Sequence, residues 1–132
     1  MAPTASTRAE WNAHDVQVGL EGLLDLYERE RSMYQEILEL SRRQGEAIRE
    51  GVELSEIRVL LDRKRTMLDM ITHMEAQHRP ARQIWEESRH RLQTDFAARM
   101  QGILGTVAGL LEEILSLEAE NDRLFLALAE RG

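Results

Sequence analysis

The chain has no cysteine and two prolines in 132 residues. Without thiols there is no disulfide, zinc-thiolate site or cysteine nucleophile, and nothing requires an oxidising compartment. So few prolines leave long stretches free of the residue that most strongly interrupts helices. Aromatic residues make up 5%, which removes the basic, aromatic-interleaved patch of a nucleic-acid binder. Basic residues are also short: 17 Lys and Arg face 24 Asp and Glu, for a net charge of −7. That balance argues against nucleic acid or an anionic membrane as the main partner. The opening Met-Ala-Pro-Thr-Ala-Ser-Thr-Arg lacks a signal-peptide core, and the most apolar stretch, Ile103 to Leu111, is too short to cross a bilayer. The expectation is a cytoplasmic chain, not inserted in a membrane, with residues 1–12 a disordered tail. No alternating β-branched run supports a sheet.

What is present is helical periodicity. Leu20, Leu23, Tyr27, Glu30, Tyr34, Ile37, Ser41, Gln44 and Ile48 repeat at spacings of three and four, a heptad seam with polar interruptions. Gly51 can end that helix in a left-handed conformation. Leu54, Ile57, Leu61, Lys64, Leu68, Ile71, Glu75 and His78 continue the alternation, and the short turn between the segments makes them antiparallel. Pro80 stops the second segment, placing a corner there. The third seam runs Leu92, Phe96, Met100, Ile103, Val107, Leu110, Ile114, Leu117, Asn121, Leu124 and Leu128. The pattern predicts one all-α domain: an elongated, antiparallel, up-down-up bundle of three long helices with coiled-coil-like packing. The helices span 13–50, 53–79 and 81–130, the last open to a break near 81–91.

The last segment has more apolar surface than one seam explains. Leu104, Ala108, Leu111 and Leu115 form a second stripe, with Phe125 between the two directions. Either this is the broad face a third helix needs in a bundle, or it awaits another helix. Gly102, Gly105 and Gly109 fall away from the seam, each costing about 1 kcal/mol relative to alanine in a helix. Asn121 on an otherwise apolar seam reads as a register-fixing residue. Met67, Met70 and Met74 read as core or as an adaptable contact surface. Arg63, Lys64 and Arg65 read as a solvated basic face.

Catalytic patterns are scarce. Glu-x-x-His occurs at Glu75 to His78 and Glu87 to His90, the spacing that di-metal carboxylate bundles use. Both copies flank the Pro80 corner instead of the middle of a bundle, and in a glutamate-rich chain such pairs arise by chance. No phosphate loop or nucleophile triad is present. The expectation is a protein that is not an enzyme, with no catalytic residues, no metal and no cofactor.

Taken together, three runs resemble the FlgN family of flagellar export chaperones. They are Glu30-x-x-x-Tyr34-x-x-Ile37-Leu38-x-Leu40 with Gln44-x-x-Ala47-Ile48-x-x-Gly51, then Leu54-x-x-Ile57-x-x-x-Leu61-x-x-Lys64-x-x-Met67-Leu68-x-x-Ile71-x-x-Met74-Glu75, and Leu117-x-x-x-Asn121-x-x-Leu124. The resemblance implies a cytoplasmic chaperone that binds the helical C-terminal regions of hook-filament junction proteins. It would escort them to the flagellar type III export apparatus, with a component of the export gate as a further partner. Client binding is then expected at Leu104, Val107, Leu111, Leu115, Leu124, Phe125 and Leu128. The alternative is a structural or scaffolding bundle that homodimerises through the same last helix, and a di-metal enzyme is a remote third.

Overall fold

The computed structural model describes residues 13–92 and 94–131; the expected tail, 1–12, lies outside them. The described residues are all-α and hold four helices. They are α1 (Ala13–Glu50), α2 (Leu54–Gln77), α3 (Arg79–Ser88) and α4 (Thr94–Arg131), with one 3-10 turn, Arg89–Arg91, before α4. The third segment expected over 81–130, open to a break near 81–91, is two helices. Pro80 sits in the first turn of α3, where its fixed φ suits a helix start and its missing N–H costs nothing. Pro80 thus sits at the start of a helix that only His78 separates from α2. The chain passes into α4 through the Arg89–Arg91 turn and an extended Leu92 (φ −84°, ψ 161°).

At 38 residues each, α1 and α4 are about 57 Å long. Most of the stability of such helices comes from packing their apolar faces. The central element is α1, which packs most extensively on α4, then on α2 and α3, while α2 and α4 have no comparable packing on each other. Ion pairs fix the directions. Glu28 meets Arg99, Arg42 meets Glu113 and Arg49 meets Glu120, so α1 and α4 are parallel. Lys64 reaches Gln44 while Glu75, farther along α2, meets Glu30, farther back on α1, so α2 is antiparallel to α1. All the surface pairs are well exposed, and each is worth at most about 1 kcal/mol.

At the first corner, Gly51 takes φ +70°. Its N–H bonds to the carbonyl of Ile48, and the Val52 N–H bonds to that of Ala47. This is a Schellman ending, which a residue without Cβ adopts at least cost. The core lies along α1, with Leu23, Ile37, Ile57 and Met100 among its most enclosed side chains. Trp85 of α3 closes the far end edge-on to Phe96 of α4, ring centroids 6.3 Å apart, within the range of favourable aromatic pairs.

Of the two rows in the expected α2 seam, one turns inward and the other outward. Ile57, Lys64, Ile71 and Met74 are buried, while Leu54, Leu61 and Leu68 are 60%, 42% and 45% exposed. Both rows satisfy the same three-four alternation, and the row holding Lys64 turns inward because α1 and α4 supply that ammonium with polar partners. Of the three methionines, Met74 is buried, Met67 half-buried and Met70 exposed.

Candidate functional site

Most of the sequence-expected client-binding residues lie along one side of α4, at different depths. Val107 is buried in the core against α1, so its expected place on a binding surface is corrected to a packing role. Leu104 is half-buried against that core, and Leu124 and Leu128 are also half-buried. Leu111, Leu115 and Phe125 are 36%, 68% and 40% exposed, and Leu126 beyond them is 63% exposed. Positions seven apart share a helix face, so Leu104, Leu111, Glu118 and Phe125 form one row.

The Glu118 carboxylate of that row accepts a hydrogen bond from the Lys64 ammonium of α2. That bond shows which way the row points: toward the side where α2 lies. On α2, Leu61 and Leu68 flank Lys64 three residues before and four after it. Sequence reasoning missed these as surface residues because it placed them in the seam. Gly102, Gly105 and Gly109 have open space where a Cβ would stand.

Beneath this face a polar cluster joins three helices. Lys64, 5% exposed, donates to Gln44 Oε1 at 2.5 Å and to Ser41 Oγ at 3.5 Å, both on α1, as well as to Glu118. Ser41 Oγ donates to Glu118 Oε1 at 2.6 Å. Asn121 Nδ2 donates to the Ser41 backbone carbonyl at 2.9 Å. This packing requires a glycine at position 45, because a Cβ there would stand 2.7 Å from Asn121 Oδ1. Gly45→Ala is expected to cost about 1 kcal/mol net, the displaced amide outweighing the gain in helix propensity. In an Asn121→Ala background, where the clash is gone, the same change should stabilise by about 1 kcal/mol. Urea unfolding of the four variants checks this, and equal signs in both backgrounds would refute it.

A second polar group is enclosed where α1, α2 and α3 meet. Glu30 is 1% exposed, hydrogen-bonds the Glu75 side chain, and has its carboxyl pushed up to about 8. Burial is the main cause, followed by the bond to Glu75 and its charge, with Arg82 opposing. Tyr27 and Tyr34 flank Glu30 one turn away on either side. Burial raises both phenols, Tyr34 to about 12. Glu30 Oε1 has no hydrogen-bond partner. The arrangement keeps a neutral carboxylic acid inside the helix junction.

His78, the other half of one Glu-x-x-His pair, bonds through Nδ1 with the Met74 carbonyl at 2.9 Å. Among the described residues no three His, Asp or Glu side chains are grouped to hold a metal. At the opposite end of the α1–α4 pair lies an open groove of about 670 Å³, whose apolar lining includes Val16, Leu20, Leu92 and Phe96.

Within Asp95–Glu130 an 18-residue window reaches a mean hydropathy of 1.3, with 22% of it buried. By length and composition α4 is thus long and apolar enough to cross a membrane, which the nine residues Ile103 to Leu111 alone did not indicate. The adjacent carboxylates Glu112 and Glu113 count against that use, since a charge at the bilayer centre costs a few kcal/mol. No family model, curated protein or solved structure matches this chain.

Proposed function

We propose that this chain is a non-catalytic, cytoplasmic export chaperone. It holds the helical C-terminal region of hook-filament junction proteins and escorts them to the flagellar type III export apparatus. The observation that carries this reading is the exposed apolar stripe of α4, Leu111, Leu115 and Phe125, on a helix whose most apolar window is mostly uncovered. An apolar client helix laid there removes surface from water at about 25 cal/mol per Å², before association costs. The finer architecture proposed with it is an elongated up-down-up bundle. In it α1, α2 and α4 are the three long rods and α3 is a bridge.

The test is capture of a co-expressed junction protein. Leu111→Glu with Leu115→Glu places two carboxylates on the stripe and should weaken capture at least about 100-fold. Helicity by circular dichroism should stay within a few per cent, because both side chains are already exposed. Collapse of the helical signal would make the stripe structural. A stable dimer in sedimentation that the same changes dissociate would favour a scaffold that self-associates through α4.

A further inference from the structure

We propose that the surface between α2 and α4 is a slot for one amphipathic helix of a partner, with acidic residues on the edge beside Arg58 and Arg65 and basic residues on the edge beside Glu112 and Asp122. This rests on the reading of the α4 stripe as a docking surface and deepens it by giving the guest a second wall and an edge pattern.

The walls follow from the packing. Helices α2 and α4 both lie on α1 but do not pack closely on each other, and the Lys64–Glu118 ion pair bridges them. Leu61 and Leu68 on one wall and Leu111 and Phe125 on the other flank that bridge, all more than a third exposed. A helix laid along the slot would meet both leucine rows with apolar residues at spacings of three, four and seven. The bridge keeps the floor from being uniformly apolar, which favours a guest with a small or polar residue at that level.

The charges of the two rims decide what kind of helix fits. One row outward from the leucines on α2 stand Arg58 and Arg65, both exposed. One row outward on α4 stand Leu115 and Asp122, with Glu112 beside them, the acids both exposed. Arg58, Arg65, Glu112 and Asp122 belong to none of the ion pairs among the described residues. Asp62 and Asp69 lie a further row out on α2, away from the slot. One rim is therefore basic and the other acidic. Unlike-charged edges on the guest are attracted to both rims, whereas like-charged edges suit one and oppose the other.

Three synthetic amphipathic peptides about three heptads long, sharing one apolar face, provide the probe. Their edges are Glu and Lys, Glu on both sides, or Lys on both sides. Titration calorimetry with the full chain should find the mixed peptide about tenfold tighter than either uniform one. Arg58→Glu with Arg65→Glu should move the preference to the all-Lys peptide, and Glu112→Lys with Asp122→Lys to the all-Glu peptide. Because the chain lacks cysteine, Ser55→Cys accepts a single dye at one end of the slot. Energy transfer to the mixed peptide's N-terminus should change from high to low, or the reverse, when the peptide's two edges are exchanged. The same ranking of peptides on all three proteins would overturn the proposal. So would absence of peptide binding, or a wild-type dimer that the arginine substitutions dissociate, which would place a second copy in the slot. The peptides test the slot alone, so the chaperone reading fails separately, if a junction protein is not captured.

Discussion

Truncating Lys64 to alanine should lower the stability of this fold by about 3 kcal/mol, a fall in melting temperature on the order of 10 °C. The loss has two sources. The stem of Lys64 fills space between α1 and α4, and its ammonium satisfies Gln44 Oε1 and Ser41 Oγ and pairs with Glu118. Removing it leaves an acceptor and a hydroxyl enclosed without their cation, whereas Glu118, with a third of its side chain exposed, can turn to water. Lys64→Met keeps the stem and should cost about 1 kcal/mol, separating packing from charge. Glu118→Ala strands the ammonium itself and should fall between the two. Urea denaturation measures all three. An alanine variant as stable as wild type would mean that the polar cluster contributes no net stability.

Glu30 gives the other large effect, and its sign is opposite to that of an ordinary surface carboxylate. Its folded-state carboxyl lies near 8, against 4.5 for the free side chain, so the folded chain retains a proton that the unfolded chain releases. The stabilisation from that proton is complete below about 4.5, declines as pH rises, and is gone above about 8. Glu30→Gln keeps a donor toward Glu75 and never ionises. It should match wild type near pH 5 and exceed it by on the order of 3 kcal/mol at pH 8 to 9. Thermal unfolding of both proteins across this range gives the difference curve. A difference that does not change with pH would show that Glu30 is ionised inside the fold.

The third seam was fully legible in the sequence. From Met100 to Asn121 its residues are buried or half-buried, because a long row with one polar member leaves little doubt about which side turns inward. The α2 seam was legible only in part, since its expected residues formed two rows of which one is buried, and the reason is local. Leu54, Leu61 and Leu68 make as good a row as Ile57, Lys64 and Ile71. Only the partners awaiting Lys64 on α1 and α4, dozens of residues away in sequence, favour the second. A break near 81–91 was anticipated, but the exact place of the passage from α3 to α4 was not legible. Ser88 to Thr94 contains neither glycine nor proline, so the turn is carried by Arg89–Arg91 and the extended Leu92. Glu30 was visible as a polar interruption, but its pairing with Glu75 depends on the antiparallel docking of α2. Of the candidate site, the α4 stripe could be read directly, while the facing wall of α2 needed the correct seam.

The contact between Gly45 and Asn121 bears on how the chain avoids near-native errors while folding. A heptad ladder has an approximate translational symmetry: sliding α4 by seven residues along α1 sets leucines and isoleucines against their equivalents at little loss. The amide of Asn121 has one carbonyl to reach, one position without a Cβ to lie against, and a neighbouring Lys64 that needs Glu118 three residues away. A slide in either direction breaks these together, so the shifted alignments are left as shallow minima that the chain can escape.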